Sequence, residues 1–334
     1  MNDRHIEANS EVNVDNWRRF VTNHHKGSIF QSKEIYDLYD STPENKPMVI
    51  ALSENKEIIG LIVSNTIISG RFCKYITARS IIIGGPLAKD DDPIIIEQLL
   101  SEYLKRAPRY VIYSEIRPLF DQQRISQTFL NMGFSRIGHY NLWIDISVDE
   151  TDLWNQLHKE RRRNIKKAQN AGLVYKEVRD KSSIQQVINL IKRTYKRKRV
   201  PLTSDNLFNN SQQYLNDHIR FFAALYEGRI IAGQIRLLFK DLAYAWYAGS
   251  DETYFKLYPN DFLMWNVILW SHNNGYKVFD LGGGGEPGKE YGVRDYKLKY
   301  GCKMEDYGRF IYFHKPLIYK TAKLAMNLLG MKKG

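Results

Sequence analysis

Tyr296-Lys297-Leu298-Lys299-Tyr300-Gly301 places a lysine between apolar and aromatic neighbours, just after a glycine-rich run. A lysine in such surroundings is partly desolvated and still useful as a cation, so Lys297 could stabilise an oxyanion or a leaving alkoxide. On spacing alone, a surface lysine lying along Tyr296 and Tyr300 is the better fit. The run itself, Asp280-Leu281-Gly282-Gly283-Gly284-Gly285-Glu286-Pro287-Gly288-Lys289-Glu290, nearly spells a phosphate-binding loop from Gly283 on. Glu290 stands where a serine or threonine would hold magnesium, which argues against nucleoside-triphosphate chemistry. The expectation is a flexible loop that lets a substrate or another backbone approach closely.

Two basic runs form a second group. Lys159, Arg161, Arg162, Arg163, Lys166 and Lys167 fall on a helix, with Arg162/Lys166 and Arg163/Lys167 four residues apart. Like charges at that spacing repel, so the pattern points to anions, with a solvated face as the alternative. Lys192, Arg193, Lys196, Arg197, Lys198 and Arg199 form the other run, with Tyr195 able to stack on bases. Such contacts position phosphates and do not read sequence. Glu115 closes the strand Arg109–Tyr113 and its extension; a carboxylate there could bind or deprotonate an amine, or form a surface ion pair. The eight histidines show no metal or nucleophile-base spacing. Cys73 and Cys302 are the only cysteines and make no CxxC pair, so neither a metal nor a cofactor is expected and a reducing, cytoplasmic compartment is.

The elements that position these groups come in two similar sets. Ala51-Leu52-Ser53-Glu54-Asn55-Lys56-Glu57-Ile58-Ile59-Gly60-Leu61-Ile62 returns as Ala224-Leu225-Tyr226-Glu227-Gly228-Arg229-Ile230-Ile231-Ala232-Gly233-Gln234-Ile235. Each copy reads as a β-hairpin turning at Glu-Asn or Glu-Gly. After the first come strand Arg71–Ile83, helix Pro93–Arg106, strand Arg109–Tyr113, helix Asp121–Met132 and strand Phe134–Ile146. After the second come strand Leu242–Ser250, a helix from Phe262 to Asn274 capped by Asp261, strand Lys277–Leu281, a short helix over Val293–Tyr300 and strand Tyr307–Phe313. Strand-helix-strand implies a parallel pair in a mixed sheet, so each half is an α/β lobe with a ligand cleft expected between the lobes. The expected boundaries are 1–147 and 148–313. A C-terminal amphipathic basic helix over 314–334 is expected to pack on the first lobe, with contact at a membrane surface as the alternative.

The chain has 49 Lys plus Arg against 37 Asp plus Glu, a net +12, which suits a polyanionic partner without requiring one. No apolar run is long enough to span a bilayer, and the N-terminal residues have no signal-peptide core.

The element order is similar to the GNAT acyltransferase fold present twice, although the usual coenzyme A signature is not evident in either half. The motifs Ser28-Ile29-Phe30-Gln31-Ser32, Gly84-Gly85-Pro86, Arg161-Arg162-Arg163-Asn164-Ile165-Lys166-Lys167-Ala168, Trp246-Tyr247-Ala248-Gly249-Ser250, Tyr258-Pro259-Asn260-Asp261-Phe262-Leu263-Met264-Trp265, Phe279-Asp280-Leu281-Gly282-Gly283 and Tyr296-Lys297 occur in that order along most of the chain. Together they resemble the FemABX family of peptidoglycan bridge aminoacyltransferases, which fold as two GNAT-like lobes. The resemblance implies an aminoacyl-tRNA donor and an amine acceptor on a cell-wall stem peptide, carried by lipid II or a UDP-linked muropeptide. It implies a cytoplasmic protein, with work at the inner membrane face left open. Lys297 then falls on the family's catalytic lysine and Glu115 on its acidic residue. Tyr296, Arg199 or Lys198, Tyr258, Gly85, Asp280, Gly282 and Gly283 fall on substrate contacts. Arg162, Arg163, Lys166 and Lys167 are expected to meet the tRNA. A substrate-binding lysine of some members is replaced by Tyr39. The alternative is an N-acyltransferase that uses acyl-coenzyme A or acyl carrier protein.

Overall fold

The computed structural model describes residues 4–68 and 74–321. They form two compact units, one comprising the residues up to His139, Ser204–Leu215 and those from Tyr307, the other Tyr140–Thr203 and Asn216–Asp306. Each unit is built on one mixed sheet.

The first unit contains β1 (Arg4–Ala8), β2 (Asn45–Glu54), β3 (Glu57–Ile67), β4 (Arg79–Ile83), β5 (Leu87–Ala88), β6 (Tyr113–Arg117), β7 (Ser135–Ile137) and β15 (Arg309–Phe313). Their order is β1-β2-β3-β4-β6-β15-β7, with β5 on β3. The β2–β3 hairpin turns at Asn55 and Lys56, both at positive φ, one residue later than the expected Glu-Asn turn. The helix Pro93–Arg106 links β4 to β6 and inserts Ile96, Leu99, Leu100 and Tyr103 among Ile50, Ile62, Ile82, Ile116 and Phe129 to form the core. Asp92 caps that helix and Pro93 begins it. β4 and β6 are parallel over all five pairs from Arg79↔Tyr113 to Ile83↔Arg117.

The second unit contains β8 (Tyr140–Asp145), β9 (Val174–Val178), β10 (Ile219–Tyr226), β11 (Arg229–Phe239), β12 (Leu242–Ser250), β13 (Val278–Gly285) and β14 (Lys303–Asp306). Their order is β14-β8-β13-β12-β11-β10-β9. The repeated hairpin is β10–β11, turning at Glu227 and Gly228. The helix Pro259–Asn273 links β12 to β13, and its Phe262, Leu263, Val267 and Ile268 pack with Phe222, Ile231 and Phe279.

The division departs from a single cut at residue 147. The stretch Phe134–Ile146 is not one strand: it breaks at residues 138–139, after which β8 pairs with β13 and β14 of the second sheet. The final strand β15 lies in the first sheet, against β6 and β7. The helix Asp205–Leu215 also belongs to the first unit, where Asn210 donates to the Ser41 hydroxyl at 3.0 Å. Of Arg71–Ile83, only Arg79–Ile83 is strand among the described residues, preceded by the short helix Lys74–Thr77. Residues 316–321 begin the expected C-terminal helix; its remainder and Cys73 lie outside the described residues. No helix among the described residues is long and apolar enough to cross a membrane.

Candidate active site

The chemistry of the second unit gathers where its parallel pair comes apart. β12 and β13 pair only from Leu242↔Val278 to Tyr244↔Asp280. Beyond that, β12 is paired only with β11 and β13 only with β8. Each strand carries an irregularity at the parting. In β12 the register slips at Trp246, opposite Ile235/Arg236, and in β13 it slips between Asp280 and Gly282. Bulges bend a strand and increase its twist, so a pair of them side by side turns the strands away from each other.

The glycine-rich run makes this possible as strand, not as the flexible loop expected from sequence. Gly282 to Gly285 belong to β13 and pair with Leu142, Asn141 and Tyr140 of β8. Gly282 and Gly285 have φ of +75° and +78°, which other residues seldom adopt. At Gly284 a Cβ would stand 2.1 Å from Leu142 Cδ1.

Lys297 reaches this place from the helix Gly292–Leu298. Its Nζ donates to the Gly283 carbonyl at 2.8 Å. Burial pushes its ammonium down to about 8, and the nearby Asp280 carboxylate offsets only part of that. Burial pushes Asp280 up to about 6, opposed by the Gly282 N–H, Lys297 and Arg236. Arg236 on β11 is 1% exposed. Its guanidinium lies 3.9 Å from the Phe279 ring centroid and donates to the Asp280 carbonyl and the Gln234 side chain, both at 3.1 Å. Two cations thus share one carboxylate at the parting. A surplus positive charge in a poorly solvated place favours an anion or a developing oxyanion.

Tyr296 stands next to Lys297, but its hydroxyl is turned to Asp261 at 3.1 Å. Asp261 is not the expected helix cap. The helix begins at Pro259 behind Tyr258, whose φ is +55°, and Asp261 lies buried in the first turn. Tyr258 has Lys167 Nζ 5.8 Å from its ring centroid.

The first basic run is the helix Lys159–Asn170, and its residues divide by face. Arg161 is buried and pairs with Asp261. Arg163, Lys166 and Lys167 are exposed, while Arg162 is half-buried and donates to the Asn155 carbonyl at 3.0 Å. Lys198 ends the helix Lys181–Lys198 and Arg199 follows it at φ +53°, both exposed.

Gly85 and Glu115 lie in the first unit. The Gly85 carbonyl accepts from Gln31 Nε2 at 3.2 Å. Glu115 is 4% exposed, and its two oxygens accept from Arg117 at 2.8 Å and Arg309 at 2.9 Å. Burial alone would raise its carboxyl, but the guanidinium groups hold it below the usual range. A carboxylate engaged on both oxygens is a poor proton acceptor, so this geometry suits an ion-paired anchor better than the expected base. Sequence reasoning missed Asp261, Arg236 and the distinct place of Arg161. A signal existed for Arg161: it shares the i, i+3, i+4, i+7 face with the buried Asn164, Ile165 and Ala168.

Comparison with known proteins agrees with this architecture. The acetyltransferase (GNAT) domain family matches residues 156–298. Among solved structures, FemX superposes with a TM-score of 0.74 at 14% identity, covering 94% of this chain and 99% of that one. The C-terminal domain of a putative lysylphosphatidylglycerol synthetase from Agrobacterium fabrum superposes at 0.59, with 14% identity and coverage of 94% and 96%. A tandem GNAT protein from the clavulanic acid biosynthesis pathway also gives 0.59, with 9% identity and coverage of 93% and 99%. No curated protein sequence matches the chain. At such identities the structural likeness speaks for the fold. The chain therefore has a FemABX-type double GNAT fold, and its second unit carries an acyltransferase domain of the GNAT kind.

Proposed function

We propose that this protein is an aminoacyltransferase that moves an amino acid from aminoacyl-tRNA to an amine on a peptidoglycan stem peptide. The observation that carries the reading is the ammonium of Lys297, held on the Gly283 carbonyl where β12 and β13 part. The exposed Arg163, Lys166 and Lys167 supply a basic face suited to an RNA backbone. The motif resemblance to the FemABX family gives the reading its acceptor class, and FemX shares the fold of this chain.

The reaction is aminolysis of an ester. The acceptor amine attacks the aminoacyl carbonyl, a tetrahedral oxyanion forms, and the C–O bond to the ribose breaks as the amide forms. The amine loses a proton and the departing ribose oxygen gains one. Lys297, titrating near 8, is mostly ammonium at neutral pH yet close enough to the working pH to give up a proton. It stabilises the oxyanion and protonates the departing oxygen. Asp280, ionised above about 6, keeps that ammonium charged. Aminoacyl esters are already activated, so holding the two substrates together supplies much of the acceleration.

Single-turnover transfer from charged tRNA to a UDP-linked or lipid-linked muropeptide tests the reading. Transfer that fails with every charged tRNA, or proceeds instead with acyl-coenzyme A, rejects it. The second outcome would support the alternative acyl-coenzyme A enzyme, which the GNAT domain match and the parted parallel strands favour.

A further inference from the structure

The helix that carries Lys297 depends on side-chain bonds to hold it in place. It is seven residues long, Gly292–Leu298, contains no fully buried residue, and receives no side-chain bond at its N-terminus. So short a helix does not persist on backbone bonds alone. Arg294 ties its first turn to the Gly284 and Glu286 carbonyls at 3.3 and 3.1 Å, and the pair of tyrosines around Lys297 fixes its far end. Tyr296 precedes the lysine, and Tyr300 follows three residues later, donating its backbone N–H to the Lys297 carbonyl at 2.9 Å.

Both phenols converge on Asp261, which is 3% exposed. Asp261 Oδ1 accepts from Tyr300 at 2.8 Å, Tyr296 at 3.1 Å and Arg161 Nη1 at 2.5 Å, and Oδ2 accepts from Asn164 at 2.7 Å. The two hydroxyl oxygens are themselves 2.8 Å apart. The two phenol protons cover two of these three oxygen–oxygen contacts, while Arg161 and Asn164 bring further donors to the carboxyl group. Arg161 adds its guanidinium 4.5 Å from the Tyr296 ring centroid.

We propose that Asp261 is the positioning residue of this site: it clamps Tyr296 and Tyr300, and through them holds Lys297 on the Gly283 carbonyl. The role deepens the proposed function, because it matters for transfer only if Lys297 acts in it. Asp261 itself touches no reacting atom. The groups facing Lys297 are Asp280 from β13, Arg236 from β11 and Cys302 beyond the helix, and none of them belongs to the clamp.

Competitive acetylation with acetic anhydride across pH, read at Lys297 by peptide mass spectrometry, tests the clamp without any substrate. In the wild type Lys297 should titrate near 8, below the ordinary lysine value of 10.5, and label more slowly than the exposed Lys105. In Asp261→Asn it should titrate about one pH unit higher, about a fivefold drop in free amine at pH 8, and become as accessible as Lys105. Tyr296→Phe leaves the Arg161–Asp261 pair in place, so it gives the same readout with less risk to folding; its titration should shift in the same direction by less. A folded Asp261→Asn or Tyr296→Phe protein whose Lys297 labels as in the wild type overturns the proposal. Where transfer is measurable, the effect of Asp261→Asn on kcat should vanish in a Lys297→Met background. If the two losses multiply, the role is merely structural. If no variant or wild type transfers at all while the labelling shifts, the functional reading fails and the clamp stands.

Discussion

The two sheets use the same strand-helix-strand unit and finish it differently. In the first unit β4 and β6 stay paired along five residues, and Gly84 N–H extends the pairing to the Arg117 carbonyl at 2.8 Å. The seam is stitched by side chains as well: Tyr103 reaches Ser80 at 2.7 Å and Ser114 at 2.6 Å, and Ser114 meets His314 at 2.8 Å. In the second unit the equivalent pair parts after three residues, and the charges of Arg236, Asp280 and Lys297 collect there. Glu115, by contrast, has its charge matched twice over on the closed seam. The difference suggests that one copy of the unit keeps the fold together while the other carries an unmatched charge for chemistry. It also predicts that equivalent-looking charged residues respond in opposite ways to mutation.

The sharpest form of that contrast is Lys297→Met. Removing one preorganised electrostatic interaction costs about 2.7–4 kcal/mol of transition-state stabilisation, roughly a hundred- to thousandfold in turnover. Substrate binding should hold, and so should the melting temperature, because removing a desolvated ammonium relieves a cost of folding. Single-turnover rates beside a thermal melt decide it; a fast variant, or one that is slow only because substrate no longer binds, breaks the contrast.

Glu115→Gln should do the reverse. Breaking a buried ion pair costs about 3 kcal/mol, the low end for such pairs because both guanidinium groups reach solvent. Turnover of the folded protein should change little. Because the folded carboxyl is held below its usual 4.5, its contribution is full above that pH and fades as pH falls through the lower folded value. Denaturant melts at pH 7 and pH 3 should therefore show a smaller acid loss in the variant. A large fall in kcat with unchanged stability would return Glu115 to the role of base.

How much of this was legible in the sequence follows the range of the interactions. The repeated hairpin, the helix Pro93–Arg106 and the order of the two strand-helix-strand units rest on local periodicity and hold, although the strand expected at Arg109–Tyr113 begins only at Tyr113 and runs to Arg117, because residues 109–112 form a turn and its exit. The sheet membership of β8 and β15 does not. Period-two alternation says that a strand is half-buried and is silent about which edge it joins. The same limit hid the site. Lys297 stood out through its motif, but Arg161 and Asp261 meet across a hundred positions of sequence. Arg236 was visible only as a lone cation in the apolar strand Ile230–Phe239, a pattern that alone names no partner. The glycine run misled because glycine serves bulged strands as well as loops.

A moderate effect should come from the basic face of the second unit. Replacing Arg163, Lys166 and Lys167 with Gln removes exposed charge and leaves the buried Arg161–Asp261 pair in place. If an RNA backbone lies there, the slope of log affinity against log salt should fall by about 0.7–0.9 for each phosphate that is no longer neutralised. Filter binding of charged tRNA at several salt concentrations measures it. An unchanged slope would mean that the face is only solvated, and would leave Lys198 and Arg199 as the next cations to remove.

The smallest expected effect separates charge from mere proximity at the parted strands. Cys302 lies beside Lys297, its Sγ donating to the Lys297 carbonyl at 3.3 Å. A thiol next to an ammonium would ordinarily be activated, but here burial dominates and pushes it up to about 11, with Lys297 opposing only weakly. The thiol is therefore neutral at working pH and contributes no charge to the cluster. Cys302→Ser should leave the alkaline limb of the pH–rate profile near 8, where loss of the Lys297 proton sets it. Iodoacetamide should label Cys302 slowly at pH 7. If Cys302→Ser moves that limb, or if alkylation is fast, the thiolate is part of the charge balance. The site would then be a lysine–thiolate pair and not a cation shared between Asp280 and an incoming anion.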